Sequence, residues 1–441
     1  MRVQDLAVAE RSSPAPVTAP NDAQPWVSAP PERGVDTGSS VLEKLQSCRP
    51  ELEIWWDSSP LDFPAERRRI LAQACDPSQH TRWATQLDRF LHWGEARPPA
   101  LVRGITTNPS LITKSVLASA DFWTAELREQ ARRQSLTDVG SAFWLLYREA
   151  VRRAATAMLP MWQDSHGRYG WVSGQLDPRL MFDADGMYEQ ALQLARLSPN
   201  LMVKVPGTEQ GYRVVRRLAA RGVSTNGTLS YTMPQFAAYI EAVETGLAQG
   251  SAAGVNLTSH RAVVTHMIGR LGSHGDLRDE ATARGIPLSQ QEVRWAEVAV
   301  LKRVYATLTD NRHPVKLLLS SLETDSPAPD GATLSMHLEE SAGADIVYTC
   351  KPQFLADLMR REAELDRFRP NAIDTEPPAA VYDKLMRLPS FRRAIDPAGM
   401  RPDEFPHYGP FVANYAEVLQ QTRRLVDFVA RQLTTEPVPT R

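Results

Sequence analysis

Residues 200–212 read NLMVKVPGTEQGY. Within them Leu201 to Val205 is a short apolar run carrying one charge, Lys204, and Pro206 and Gly207 close it. A run of this length, apolar at nearly every position and stopped by turn residues, is the pattern of a parallel strand buried on both faces. A helical pattern follows it from Gly211 to Ala220.

The same unit recurs on either side. Toward the N-terminus lie WVSGQL from Trp171, LVRGI before Thr106 and LEIWW before Asp57. Toward the C-terminus lie GVSTN from Gly222, AVVTHMI from Ala262, KLLLSS from Lys316 and ADIVYT from Ala344. Amphipathic segments separate them, among them Asp138 to Met158, Asp185 to Leu197 and Gln290 to Leu308. Strands alternating with helices imply right-handed βαβ units and a parallel sheet. Eight such runs predict an α/β protein with a closed (β/α)8 barrel, a TIM barrel. A doubly wound open sheet is the competing fold.

The ends of the chain differ from this middle. Residues 1–45 are rich in Pro, Ala, Ser and Val without a period, and read as a disordered extension, with the folded part beginning near Leu52. Residues 46–365 carry the barrel. A Pro-rich stretch from Pro370 to Pro378 introduces a C-terminal helical extension over 366–441. There Phe411, Tyr415, Val418, Leu419, Leu425, Val426, Val429 and Leu433 fall on one helical face, which covers the barrel or a second subunit of a homodimer.

Composition narrows the class. The chain has 441 residues, 50 Lys and Arg against 52 Asp and Glu, and a formal charge of -2. This balance gives no electrostatic footprint for nucleic acid or an anionic membrane surface. No stretch approaches the roughly 20 apolar residues of a bilayer span. The N-terminus lacks the basic start and apolar run of a secretory signal. Cys48, Cys75 and Cys350 are widely spaced and odd in number, with no Cys/His spacing typical of zinc. A cytoplasmic enzyme with no metal and no nucleic-acid or membrane partner is the expectation.

In a barrel the site lies at the C-terminal strand ends. Those ends carry Asp57; Thr106, Thr107 and Asn108; Gln175 and Asp177; Lys204; Asn226 and Thr228; Thr265 and His266, with Arg270 beyond; Ser320 and Ser321; and Thr349 and Lys351. Lys204 is the sharpest signal, because a lysine inside an apolar strand is rarely buried unless paired or functional. Burial disfavours the ammonium, and a neutral amine can attack a carbonyl to form a Schiff base. The alternative is a structural ion pair. Schiff-base carbon–carbon chemistry also needs a proton acceptor, for which Asp57 serves, and an oriented water, for which Thr228 serves. Asn108 and Asn226 suit sugar hydroxyls, and Thr107 and Thr265 complete the polar set. Singly these residues have ordinary readings: Asp57 as a turn cap, Asn108 before Pro109 as a turn, His266 as a hydrogen-bonded core histidine.

These segments resemble the transaldolase family of class I, Schiff-base-forming aldolases. GITTNPSLI from Gly104, VSGQLDPRL from Val172, NLMVKVPGTEQGY, GVSTNGTLSYTMPQF and IGRL from Ile268 stand in the family's order. The resemblance implies a (β/α)8 barrel with the Schiff-base lysine on strand four and neither metal nor organic cofactor. It makes Lys204 that lysine, Asp57 the proton-handling aspartate, and Thr228 the threonine that orients water. It makes Asn108 and Asn226 substrate-binding asparagines, Arg270 the arginine on the substrate phosphate, and Ser321 a serine beside it.

The departures are informative. Gln175 stands where family transaldolases carry a glutamate, as in the related fructose-6-phosphate aldolases, and glutamine cannot act as a base. Glu323 stands two residues past Ser321, where a basic residue often meets the phosphate, and Met267 replaces an aromatic residue before the arginine motif. A carboxylate in that pocket disfavours a phosphate. The expectation is a transaldolase-like enzyme acting on a ketose donor and an aldehyde with altered specificity, serving specialised biosynthesis. An ordinary transaldolase of the pentose phosphate pathway and a non-catalytic sugar-binding barrel are the alternatives.

Overall fold

A computed structural model describes residues 38–91, 100–274, 276–326 and 333–434. Eight parallel strands close into one barrel in sequence order. They are β1 Glu53–Trp56, β2 Val102–Thr106, β3 Trp171–Gln175, β4 Leu201–Pro206, β5 Thr225–Ser230, β6 Ala262–Met267, β7 Lys316–Ser320 and β8 Val347–Cys350. Closure is through β1, whose Trp55 and Trp56 pair with Thr349 and Cys350 of β8. Every strand is four to six residues long, so the barrel is short and its ends come quickly to the loops.

Helices wrap the strands, and their caps are legible. Asn108 caps the helix Pro109–Ala118, its Oδ1 accepting from the Leu111 amide at 2.9 Å, with Pro109 in the first turn where no amide donor is missed. Thr208 caps Glu209–Ala219 in the same way. Ser289 and Glu292 form a capping box that starts the long helix Gln290–Asp310.

Two boundaries differ from the sequence reading. Strand five was expected to start at Gly222; it starts at Thr225, because Gly222 adopts φ +71° in the turn leaving the preceding helix. The ordered fold starts well before Leu52: Ser40 and Glu43 form a capping box on the helix Val41–Cys48, whose Val41, Leu42 and Leu45 are buried. Residues 41–45 of the expected extension are therefore helical, whereas the remainder up to residue 37 lies outside the described residues. The Pro-rich stretch is docked, with Ala372 and Ile373 buried and Lys302 Nζ donating to the Ala372 carbonyl at 2.5 Å. Beyond it the helix Gly409–Thr434 buries Phe411, Leu425, Phe428 and Val429 against the same body. Among the described residues no helix is long and apolar enough to cross a membrane.

Candidate active site

Side chains alternate along a strand, so every second residue enters the barrel. A dry plug forms its lower layer: Trp55, Trp171, Met202, Val263, Leu318 and Val347 pack together. Gly104 belongs to this level on β2, and a Cβ there would fall 2.5 Å from the Trp55 ring, so glycine is what makes room for the indole. Two residues further along these strands come Asp57, Thr106, Ser173, Lys204, Thr265, Ser320 and Thr349. On β5 Asn226 pairs in register with Lys204. The step from plug to polar residue thus occurs at one depth in seven of the eight strands, and β5, with Asn226 and with Ser224 just before its start, is polar at both levels.

Hydrogen bonds tie the layer into two chains. Thr349 Oγ1 donates to Thr106 Oγ1 at 2.6 Å, and Thr106 Oγ1 donates to Asp57 Oδ1 at 2.6 Å. Across the barrel Thr265 Oγ1 donates to Asn226 Oδ1 at 2.8 Å, and Asn226 Nδ2 donates to Ser173 Oγ at 2.9 Å. Both Asn226 and Thr265 are buried, so this fixes the amide orientation.

Lys204 stands between the two chains, 5 % exposed and flanked in register by Gln175 and Asn226. Among the described residues its side chain has no carboxylate within ion-pair distance and no hydrogen-bond partner, while its backbone carbonyl accepts from the Leu176 amide at 3.1 Å. Burial pushes its pKa below the ordinary lysine value, and the negative charge of Asp57 offsets part of that shift. Burial pushes Asp57 up in turn, against the pull of Lys204, the Thr106 hydrogen bond, Lys351 and Lys114. An amine held toward neutrality and a carboxyl held toward protonation can exchange a proton with a substrate at little energetic cost.

Thr228 lies on the Asn226 face of β5, buried, next to a bulge between Gly227 and Ser230. Leu229 takes φ +56° there, an unfavourable conformation for a branched residue. Gln235 secures it by donating to the carbonyls of Leu229 at 2.9 Å and Gly207 at 3.1 Å while accepting from the Tyr231 amide at 2.9 Å.

Residues 86–389 match the model of the transaldolase/fructose-6-phosphate aldolase family. The chain belongs to that family. It is 27% identical to the transaldolase of Mycobacterium tuberculosis over 356 residues, covering 75% of this chain and 89% of that one. It is 30% identical to the transaldolase of Thiobacillus denitrificans over 311 residues, covering 70% and 81%. Membership makes the protein an enzyme of the aldolase and transferase class. The family match begins after β1 and ends before Gly409, so Asp57 and the C-terminal helix join this site through the fold.

Not every expected residue faces the pocket of this transaldolase-family barrel. Thr107 points outward: its hydroxyl donates to the Ser173 carbonyl at 2.7 Å and reaches Tyr147 of the helix Val139–Asp164. It braces β2 against β3, and Thr106 holds the inward place. Asn108 has its Oδ1 engaged as a helix cap, leaving its amide hydrogens for a ligand. His266 is on the outer face of β6 against Phe236, with neither ring nitrogen hydrogen-bonded, and burial holds its pKa down at about 3. The histidine is core, but without the hydrogen bond expected of it. The Ser321 carbonyl lies against Gly269, one residue before Arg270, so closely that a Cβ there would fall 2.3 Å away.

Glu323 does not stand alone beside them. Its Oε2 binds Arg294 Nη2 at 2.6 Å, and Arg294 also grips Asp325 at 2.6 Å and Glu297 at 2.9 Å. The sequence names Ser320 and Thr349 only as strand-end residues without a role and does not single out Ser173, although the two-residue step from the plug marks all three. Glu417 carried no sequence signal. Among the described residues no group of three or more His, Cys, Asp or Glu is placed to hold a metal.

Proposed function

We propose that this enzyme forms a Schiff base between Lys204 and a ketose-type donor, then breaks, makes or transfers a carbon–carbon bond to an aldehyde. The observation carrying this reading is a 5 % exposed lysine with no carboxylate within ion-pair distance among the described residues, its pKa lowered by burial, in a ring of hydroxyl and amide groups. Neutral Lys204 Nζ adds to the donor C2 carbonyl, and loss of water gives the iminium. Asp57 takes the proton of the C4 hydroxyl as the C3–C4 bond breaks; its electron pair passes into the iminium to give an enamine, and an aldehyde leaves. The enamine then adds to another aldehyde, or is protonated and the imine hydrolysed. Thr228 and Gln175 hold the water for those steps, and Asn108, Asn226, Thr265 and Arg270 hold the substrate.

Gln175 supports a specificity shifted from that of a conventional transaldolase. Glutamine orients a water but does not deprotonate it, which slows imine hydration relative to a glutamate at that place. A second reading, transfer of a dihydroxyacetone unit between sugar phosphates, draws support from the relatives named transaldolase and from the Ser321 backbone lying against Gly269, next to Arg270.

The test is borohydride trapping with dihydroxyacetone, followed by intact-mass analysis and peptide mapping. A single reduced adduct on the Lys204 peptide is expected. An unmodified protein, or an adduct elsewhere, would overturn the Schiff-base assignment.

A further inference from the structure

The arginine that the family resemblance sets on a substrate phosphate is already engaged. Arg270 Nη1 lies 3.2 Å from Glu417 Oε2 and donates to His274 Nε2 at 2.5 Å. Glu417 comes from the C-terminal helix Gly409–Thr434, outside the stretch that matches the family. That helix is fastened over the loop end of the barrel. Thr113, in the helix following β2, donates to the Gln421 carbonyl at 3.1 Å. Tyr415 packs edge-on against Phe182, just past β3, with ring centres 6.1 Å apart.

A second carboxylate stands on the same corner. Glu323 Oε1 is 3.4 Å from where a side chain on Gly269 would begin, one residue before Arg270. Its partner Arg294 is fully occupied by Glu323, Glu297 and Asp325. Four carboxylates, with Glu417 the fourth, therefore surround two guanidiniums. Lys114 and Lys351 add positive potential at Asp57 instead. A phosphate dianion entering this corner has to displace Glu417 and remain beside Glu323, and like charges brought together are a strong means of rejecting a ligand.

We propose that Glu417 is a specificity-determining residue: by neutralising Arg270 it converts the family's phosphate subsite into one for an uncharged, hydroxylated end, so the preferred donor is an unphosphorylated ketose. The carboxylate accepts from sugar hydroxyls and the guanidinium donates to them, which suits a polyol terminus. The pair is partly open, with side chains 43% and 26% exposed, so it is weak as a structural bridge. Discrimination arises from charge rather than from a locked gate. This inference rests on the Schiff-base reading above.

The test compares trapping efficiency for fructose, fructose 6-phosphate and dihydroxyacetone on the full chain, its Glu417→Gln variant and its Arg270→Gln variant. Dihydroxyacetone has no distal end, so its adduct reports the Schiff base and an intact fold alone. In the wild type, fructose is expected to trap about tenfold more efficiently than fructose 6-phosphate. Glu417→Gln is expected to raise fructose 6-phosphate about tenfold while fructose changes less than about threefold. Arg270→Gln is expected to lower trapping of fructose and fructose 6-phosphate by about the same factor, because the guanidinium donates to hydroxyls present in both. A wild type that prefers fructose 6-phosphate and loses that preference in Arg270→Gln would overturn the proposal while leaving the Schiff base intact. Absence of the dihydroxyacetone adduct in all three proteins would instead remove the Schiff-base reading, and this inference with it.

Discussion

Two buried cations in this molecule have opposite fates. Lys204 on β4 and Arg294 on the helix Gln290–Asp310 are 5% and 4% exposed. Burial works against the charge of both. At Lys204 only the more distant influence of Asp57 opposes it, and the amine is driven toward its neutral form. At Arg294 the carboxylates of Glu297, Asp325 and Glu323 outweigh burial and hold the guanidinium firmly charged. The partner set, rather than burial, separates a nucleophile from a structural clamp. The barrel floor surrounds its lysine with hydroxyls and amides; the outer layer surrounds its arginine with anions.

That contrast breaks most sharply at the nucleophile. Lys204→Ala is expected to remove the trapped adduct and lower turnover by at least ~10⁴-fold, with a near-native circular dichroism spectrum. A variant that keeps normal turnover would place the chemistry elsewhere. At the clamp the effect is on stability. Arg294→Met strands three carboxylates, two of them buried, and is expected to cost about 3–5 kcal/mol in chemical denaturation. An unchanged denaturation midpoint would show that the three anions do not need the guanidinium.

The finest test lies between the two amines' environments. Asp57→Asn is expected to lower turnover by about 10²–10³-fold through loss of the proton acceptor. It also removes the negative charge that raises the Lys204 pKa. The free amine then persists to lower pH, so the inflection in trapping rate against pH moves to the acid side. A shift to the alkaline side, or none, would mean that Asp57 does not act electrostatically on Lys204.

Much of this was legible in the residues. Seven of the eight runs coincide with strands, because a short, mostly apolar stretch is best satisfied inside a sheet covered on both faces, and the fifth overlaps its strand only at Thr225 and Asn226. Lys204 stood out because it interrupts such a stretch. Strand five was misplaced at its start because Gly222 to Ser224 continue an apolar-looking pattern while the backbone is still turning out of a helix. Thr107 was assigned to the pocket because Thr106 and Thr107 are chemically alike, and only the register of β2 says which one faces inward.

The sequence by itself determined the alternation of strands and helices and the lysine at the centre of the fourth strand, since these follow from local period and composition; the family followed from the resemblance of its motifs, and closure into a barrel from the structure. The tertiary structure alone decided which polar residues share one depth, that Glu323 is claimed by Arg294, and that Glu417 reaches Arg270 from the far end of the chain. The physical reason is range. Burial pattern is written in neighbours two or four positions apart, whereas charge compensation depends on distances between atoms that the chain order leaves open until it folds.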